Sequence, residues 1–380
     1  MKKRRLKKGP FVFLFLIIVL VGGYIIFTDK STDIKLKNKE KDEEVIEVKD
    51  SKRSMSLVMV GDALIHDSIY KDAYVGDNNY DFMDMFTDIG EIIKDYDLRY
   101  YNQETIIGGK DLGLSNYPLF NSPDEIGSDL VKTGFNMVSL ANNHSLDKGV
   151  KGLNYSISFW NSMEGVITAG SYGSLEDRDN PKIFETNGIK YAFLSYTEGT
   201  NGIKIPEGFE YLVNVYSDEL VKQDIEKVKD DVDLIIVAMH WGNEYTHKPN
   251  NEQKRIAKYL SELGVNLIIG CHPHVIQPID YVGDTLVIYS LGNFISSQRS
   301  LGLNKIIGLL VGVTINVEDG NVTFDDLRKE LLFTYDENYK NFKIIPFSKL
   351  DNSILNNYEQ IEEEYMNIVD SEVYYDWNKK

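Results

Sequence analysis

The sequence of 380 residues contains a single cysteine, Cys271. One cysteine excludes an intramolecular disulfide and a metal site built from several thiolates, so metal ligands have to come from His, Asp, Glu and Asn. Basic residues are also few, since 41 Lys and Arg stand against 59 Asp and Glu and the net charge is −18. Nucleic acid is therefore not expected as a partner, because binding a phosphate backbone needs a basic surface.

The basic residues that are present cluster at the start of the chain. The first eight residues carry six Lys or Arg, which leaves a net charge of −24 on the remainder, and an uncharged apolar run of seventeen residues follows at 11–27. This order is typical of a short transmembrane helix whose positive end stays in the cytoplasm. A cleaved signal peptide is the alternative, but its apolar region is usually shorter and no small-x-small cleavage site follows residue 27.

We therefore predict a single-pass protein of the cell membrane, with a cytoplasmic tail (residues 1–10), an anchor (11–27) and everything else outside the cytoplasm. Residues 28–54 are rich in Lys, Glu and Asp and lack aromatic residues, as expected of a solvated linker. Residues 55–335 are predicted to form the folded domain, and residues 336–380 a partly helical C-terminal extension. The chain contains no internal repeat.

The folded domain is predicted to be of the α/β class. Strand-like apolar runs alternate with helical patterns, and 42% of the residues are hydrophobic, enough for a sizeable core. Predicted strands include 56–61, 98–102, 135–140, 232–239 and 265–269. Predicted helices include 149–163, 218–229 and 253–263.

Unusual polar residues follow these predicted strands. Five of the six histidines occupy such positions, and the sixth, His247, reads as a loop residue. Ligands of open α/β sheets bind beyond the carboxyl ends of the strands, where the loops converge. The candidate site residues at strand ends are Asp62, His66, Asn102, Glu104, Asn142, Asn143, His144, His240, His272, His274 and Asn293.

The segment Gly270-Cys271-His272-Pro273-His274 is the clearest of these strand ends. In an extended backbone, residues two apart point to one face, so His272 and His274 are predicted to address one bound object. Pro273 is expected to hold His272 in the extended region. A pair of loop histidines that cap backbone or face solvent is the alternative interpretation.

Nitrogen and oxygen donors without thiolate suit divalent Zn, Mn or Fe. The candidates exceed the needs of one tetrahedral ion and would suffice for two ions that share a bridging carboxylate. Two-metal sites of this kind hydrolyse phosphoesters or amides.

Six segments occur in a fixed order: GDALIHD, NQE, LANNHSLDKG, HWGNEY, GCHPHVIQP and YSLGNF. Together they resemble the CapA family of poly-γ-glutamate capsule synthesis proteins, which are similar in fold to calcineurin-like metallophosphoesterases. The resemblance spans roughly residues 56–317. It implies a four-layer α/β/β/α sandwich with the motif loops at one edge, in an anchored protein that works outside the cell beside the machinery that makes or exports a γ-linked glutamate polymer.

The resemblance also implies roles for single residues. It implies metal ligation by Asp62, His66, Glu104, Asn143, His240, His272 and His274, with His144 as the proton donor to a leaving oxygen. Two departures leave the second metal and catalysis open. The first motif is D-x3-H instead of D-x-H, and the bridging position is the glutamate of N-x-E instead of an aspartate.

Candidate substrate contacts are Asn102, Asn142, Trp241, Glu244 and Asn293. Trp241 could equally be a packing residue and Asn293 a turn residue, while Cys271 reads as a small buried filler. The expected function is therefore metal-dependent chemistry on an anionic polymer or phosphoester. The alternatives are a non-catalytic assembly or polymer-binding subunit of the synthesis complex, and a surface phosphodiesterase unrelated to capsule.

Overall fold

The computed structural model describes residues 52–375. In this range the strands are β1 (Arg53–Ala63), β2 (Tyr74–Gly76), β3 (Asn79–Tyr80), β4 (Leu98–Asn102), β5 (Met137–Ser139), β6 (Ile167–Ala169), β7 (Ile183–Thr186), β8 (Ile189–Thr197), β9 (Leu234–His240), β10 (Leu267–Cys271), β11 (Ile279–Val282), β12 (Thr285–Ile288), β13 (Asn293–Ile295), β14 (Ile307–Glu318), β15 (Asn321–Tyr335) and β16 (Lys343–Pro346). The helices are α1 (Asp67–Asp72), α2 (Thr87–Ile93), α3 (Asp124–Thr133), α4 (Gly149–Asn161), α5 (Leu175–Asp179), α6 (Asp218–Val228), α7 (Asn251–Glu262) and α8 (Tyr358–Val369).

The predicted cytoplasmic tail, the predicted anchor and most of the predicted linker lie outside the described residues. Between residues 52 and 375, no helix combines the length and apolar character needed to cross a membrane. The first strand begins at Arg53, two residues before the predicted start of the domain.

Two large sheets form the centre of the fold. The first has the order β16-β15-β14-β1-β4-β5-β6, with β13 paired to the end of β1, and the second has the order β11-β12-β10-β9-β8-β7. Strands β1, β4, β5 and β6 run parallel, as do β8, β9, β10 and β12. Parallel strands bring their carboxyl ends to one edge, so each sheet has one edge that can carry a site.

The side chains of β1 alternate between two cores. Leu57 and Met59 lie in the core between the two sheets, together with Phe193 of β8. Val58 and Val60 face the other way. A strand buried on both faces has an almost continuous apolar sequence, which is why SLVMVG stands out.

Helices cover both outer faces of the pair of sheets. On the first sheet, residues of α1 to α4 pack against β1 through Ile69, Ile89, Leu130 and Trp160. On the second sheet, α6 and α7 pack against the outward side chains of β9 in the same manner. The layers are therefore helix, sheet, sheet and helix, and the predicted α/β class is confirmed.

The C-terminal region contributes to this architecture. Strand β16 pairs with β15, and Ile344 of β16 lies in the outer core of the first sheet. Tyr365 and Val369 of α8 lie in the core between the sheets. The sheet and its core thus continue past residue 335, where the sequence had placed the end of the domain.

Close backbone contacts hold the two site-bearing edges together. A Cβ atom on Gly61 would lie 1.8 Å from the Gly292 carbonyl oxygen, and one on Gly270 would lie 2.0 Å from the Tyr289 carbonyl oxygen. The Asp62 N–H donates to that same Gly292 oxygen at 3.0 Å. Glycine is needed at both positions because a side chain would push the strand ends apart.

Candidate metal centre

The structure brings most of the predicted strand-end residues together. Asp62 is the last residue but one of β1, Asn102 ends β4 and His240 ends β9. Glu104 and Asn143 follow β4 and β5, His272 and His274 follow β10, and Asn293 begins β13. Residues from both sheets therefore share one buried cluster.

The first part of the cluster surrounds the His240 ring. Its Nε2 atom lies 2.9 Å from Asn143 Oδ1, 3.1 Å from His272 Nδ1 and 3.6 Å from Glu104 Oε1. With metal–nitrogen bonds of about 2.0–2.1 Å, neighbouring ligand atoms on one ion lie about 3.0–3.4 Å apart. These spacings fit donor atoms that surround a common point.

The second part of the cluster surrounds His274. Its Nε2 atom lies 3.5 Å from Glu104 Oε1, and its Nδ1 atom lies 3.3 Å from Asp62 Oδ2. The Nδ1–H group donates to Asn293 Oδ1 at 2.9 Å, which fixes the ring and directs Nε2 toward Glu104, where it can bind a metal once it has lost its proton. Glu104 belongs to both parts of the cluster.

Glu104 gives the sharpest test of whether a metal fits. Its side chain is fully buried, and neither carboxylate oxygen has a hydrogen-bond partner. A buried carboxylate without partners is costly unless it is paired, protonated or bound to a cation. Three imidazoles, two carboxylates and one amide oxygen converge here without a thiolate, and such a donor set fits a divalent ion.

The backbone around Pro273 differs from the prediction. His272 has φ 97° and His274 has φ 56°, so neither residue is extended. The expectation that both rings share one face of a strand was wrong, because Pro273 disfavours the α region for His272 but does not prevent a positive φ. The tight turn brings the two rings to a centroid distance of 5.9 Å, and the Asp62 carboxylate accepts from the His272 N–H at 3.2 Å.

Burial and charge act on these groups in opposite directions. Burial lowers the pKa of His240 well below its usual range and, with the charge on His274, lowers the pKa of His272 to about 4. Burial alone would also lower the pKa of His274, but Glu104 and Asp62 outweigh it and raise that pKa to about 9. Burial raises the pKa of Glu104 well above its usual range. Two of the imidazoles are thus neutral and ready to bind a metal, while the Glu104–His274 pair retains a proton at neutral pH.

His144 is held beside the cluster by a partner that the sequence argument missed. Its Nδ1–H donates to Asp147 Oδ2 at 2.7 Å, and the same oxygen accepts from the Phe120 N–H at 2.7 Å. Both side chains are buried. The HSLD spacing inside the quoted motif, with a carboxylate three residues after the histidine, is the signal that could have identified Asp147.

Three other predicted residues support the cluster. Asn102 Nδ2 donates to Asp62 Oδ1 at 2.8 Å, and Asn142 Oδ1 accepts from the His144 N–H at 3.0 Å. Asn293 positions His274 as described above. All three side chains are buried and engaged with neighbouring residues, which makes them positioning residues.

The remaining predicted residues lie at different distances from the centre. Glu244 is exposed, and its carboxylate can reach His272 and His274. His66 belongs to none of the ligand groups found among the described residues, and its Nδ1 lies 3.0 Å from the Leu64 carbonyl oxygen. Trp241 is fully buried, and its indole N–H donates to the Tyr289 carbonyl oxygen, so it packs in the core away from any substrate. Cys271 is a buried free thiol.

Together the fold and the donor set define a class: an α/β sandwich with a cluster of candidate ligands for a divalent metal at the edge where its two sheets meet. The model of the family described as bacterial capsule synthesis protein PGA_cap matches residues 56–298, and the chain belongs to this family. The family assignment made from the sequence motifs is confirmed.

Two curated relatives carry related names. The PGA biosynthesis protein CapA of Bacillus subtilis (strain 168) is 30% identical over 169 residues, which cover 43% of this chain and 43% of that protein. The capsule biosynthesis protein CapA of Bacillus anthracis is 33% identical over 186 residues, which cover 47% of this chain and 44% of that protein. In both cases the similarity spans less than half the length of the relative.

Solved structures give a weaker likeness. A phosphatase from Mycoplasma pneumoniae aligns with a TM-score of 0.48 and 17% identity, covering 79% of this chain and 98% of that chain. A calcineurin-like phosphoesterase from Bacillus subtilis aligns with a TM-score of 0.45 and 14% identity, covering 83% of this chain and 98% of that chain. The assignment above rests on the family match and not on these alignments.

Proposed function

We propose that the protein is a metal-dependent hydrolase that acts in the synthesis or export of a poly-γ-glutamate capsule. The bond cleaved would be a phosphoester or a γ-glutamyl amide. Two divalent ions, Mn, Zn or Fe, would share Glu104. Asn143, His240 and His272 would hold one ion, and Asp62 and His274 the other.

The buried carboxylate of Glu104 carries this proposal. Its two oxygens lack hydrogen-bond partners, while the Nε2 atoms of His274 and His240 lie 3.5 and 3.6 Å from one of them, Oε1. A purely structural carboxylate at such a depth would be expected to accept hydrogen bonds. Coordination of a cation would give this carboxylate the partner that it lacks.

Ions held there would supply Lewis acidity and make water a stronger nucleophile near neutral pH. A residue of the chain would donate the proton to the leaving group. The Nδ1–H of His144 is held by Asp147, so the other ring nitrogen is free to donate to the oxygen or nitrogen that leaves. The Asp147 carboxylate would stabilise the imidazolium and fix the tautomer, as a carboxylate next to a general acid does.

The location follows from the start of the chain. The basic cluster and apolar run of residues 1–27 support a single membrane anchor with a cytoplasmic N-terminus. The catalytic domain would then lie outside the cytoplasm beside the polymer-forming complex, which is the partner that the family membership supports.

Metal analysis of two matched variants tests the metal site. Glu104→Gln keeps the shape of the side chain and removes its charge, so we expect metal affinity to fall by more than about 100-fold. Glu198→Gln is the control, because Glu198 accepts from the Gly242 N–H next to His240 but belongs to none of the ligand groups. Equal metal content in wild type and in Glu104→Gln would remove the basis of the proposal.

Substitution of His144 separates catalysis from assembly. We expect His144→Ala to bind metal normally and to abolish polymer formation in cells, with Asp147→Asn reducing it by roughly 100-fold or more. Polymer production and metal content would be measured on the same strains. Normal polymer levels with a folded, metal-loaded His144→Ala protein would mark a non-catalytic assembly subunit instead.

A further inference from the structure

Two cavities join at the edge of the metal centre. The proximal cavity, of about 390 Å³, is lined by His144, His274 and Glu244 on its inner side and by Tyr117 on its outer side. The distal cavity, of about 760 Å³, is lined by side chains of α1 and by residues 338–340. Each volume lies within the range of small-molecule sites, about 300–1,000 Å³.

His66 and Ser297 line both cavities, so the two cavities are adjacent, and together they are called the groove below. The Ser297 hydroxyl accepts from the Ser68 hydroxyl at 2.7 Å, and the Ser297 N–H lies 3.2 Å from His66 Nδ1. The shared residues are therefore tied to each other and to α1. His66 therefore lies where the two cavities adjoin.

The outer wall of the distal cavity is fixed in place. Asp336, almost buried, binds the Arg299 guanidinium at 2.7 Å and accepts from the Tyr339 N–H at 2.8 Å. The Asp72 carboxylate accepts from the N–H groups of Asn341 and Phe342 at 3.0 and 2.9 Å. Because these bonds hold the wall at both ends, it is already ordered before a ligand binds, which lowers the entropic cost of binding.

The lining of the distal cavity contrasts with the acidic charge of the chain. The lining contains two lysines, Lys71 and Lys340, and two aspartates, Asp67 and Asp72, so their charges balance. The whole chain, in contrast, carries a net charge of −18. Asp72 is already occupied by two N–H groups, and the Lys71–Asp67 pair is largely exposed, with the lysine side chain 67% accessible. Exposed pairs of this kind are weak, so an anionic ligand can compete with Asp67 for Lys71, and Lys340 is exposed.

Exposed aromatic side chains flank the groove at both cavities. Tyr117 is 72% exposed at the proximal cavity and Tyr339 is 48% exposed at the distal one. Exposed aromatic faces beside a polar groove suit a chain that alternates apolar methylene groups with charged groups. A γ-linked glutamate chain has two methylene groups and one carboxylate in each repeat.

We propose that the groove binds several consecutive repeats of a γ-linked glutamate chain, with the reacting unit at the metal centre and remote carboxylates on Lys71 and Lys340. The assignment rests on the proposed function for its substrate class. It adds a distal subsite that sets the preference for long over short chains.

Binding of γ-linked glutamate oligomers of increasing length to the full chain tests the assignment. We expect affinity to rise with length, and Lys71→Ala and Lys340→Ala each to weaken binding of long oligomers by about twofold to fivefold. The double variant should lose most of the dependence on length, and added salt should weaken the wild type more than the double variant. Thermal midpoints and metal content would be measured in parallel, and both should match the wild type.

The control is the pair Lys182→Ala and Lys229→Ala on the second sheet's side of the molecule. Lys182 pairs weakly with Asp177 at 3.7 Å and Lys229 is exposed, so the two control lysines resemble Lys71 and Lys340 in setting. Loss of binding in these variants, or length-independent binding by the wild type, would overturn the subsite. Equal affinity for α-linked oligomers would overturn the γ-linked assignment. If the proposed hydrolase function is wrong, a different measurement would show it, because His144→Ala would then give normal polymer levels.

Discussion

Glu104 and His274 lie 3.5 Å apart and retain a proton that an incoming cation has to displace. The pKa of His274 is raised to about 9 because the attraction of Glu104 and Asp62 exceeds the effect of burial. In the metal-free protein this ring is therefore protonated at pH 7. Metal binding is expected to release the proton.

This linkage sets the pH dependence of metal affinity. Below pH 9 the ion competes with the proton on His274, so affinity for Mn²⁺ or Zn²⁺ should rise by about tenfold for each pH unit and level off near pH 9. Titration calorimetry in buffers of different ionisation enthalpy measures both affinity and released protons. His247→Gln is the control, since that ring binds the Ile276 carbonyl oxygen outside the cluster. Affinity that does not change between pH 7 and 9 would contradict the linkage.

Residue identities in the site could largely be predicted from sequence, because His, Asp, Glu and Asn after apolar strands are conspicuous. The residues that hydrogen-bond to these side chains could not be predicted. Asp147 was recognisable only as a motif letter and Asn293 was predicted as a substrate contact or turn residue, because their contacts with His144 and His274 depend on how loops fold. For His66 the predicted ligand role stays a prediction, since the residue lies outside the ligand groups of the described residues but lines the same cavity as His144 and His274.

Gly61 lies in the buried part of β1, two residues before the strand ends, beside the loop that precedes β13. An added methyl group would lie 1.8 Å from the Gly292 carbonyl oxygen, and the backbone on both sides would have to move. We expect Gly61→Ala to lower the free energy of unfolding by about 1–3 kcal/mol and to weaken metal binding, because Asp62 is the next residue.

Chemical denaturation and metal titration of the variant measure the two effects. Gly173→Ala is the matched control, since its methyl group would meet only Ile157 at 3.7 Å and should change stability by less than about 0.5 kcal/mol. An unchanged metal affinity in a destabilised Gly61→Ala protein would show that Asp62 does not depend on this contact.

Among the elements, long apolar strands and amphipathic helices were predictable and short or exposed strands were not. The predicted helix at 149–163 is α4 (Gly149–Asn161), and the predicted strand at 232–239 is β9 (Leu234–His240). Strand β15 (Asn321–Tyr335) was missed because its first ten residues are largely solvent-exposed and carry charges instead of a period of two. Strand β13 has three residues, too few for any pattern.

At the scale of the whole molecule, the centre takes ligands from both sheets. Asp62 and Glu104 come from the first sheet, and His240, His272 and His274 from strand ends of the second. A bound ion would therefore link the two halves of the sandwich and favour the folded state over the unfolded one.

Removal of metal should accordingly lower the thermal midpoint. An ion present at 100 times its dissociation constant contributes about 2.7 kcal/mol, which corresponds to several degrees for a domain of this size. Scanning calorimetry with and without a chelator measures the shift. The Glu104→Gln variant should show almost no response to the chelator. The same response in both proteins would mean that the stabilising ion binds elsewhere.

The turn at His272 and His274 affects how long the protein persists in a cell. Two non-glycine residues at positive φ store strain, on the order of 1–3 kcal/mol each, in a loop beside a buried carboxylate that has no hydrogen-bond partner. Without metal, the pairing of Glu104 with His274 would offset only part of these costs, so the unfolded fraction would rise and proteases would act on it. Metal starvation would then reduce the amount of folded protein, and the supply of ions would control its abundance as well as its chemistry.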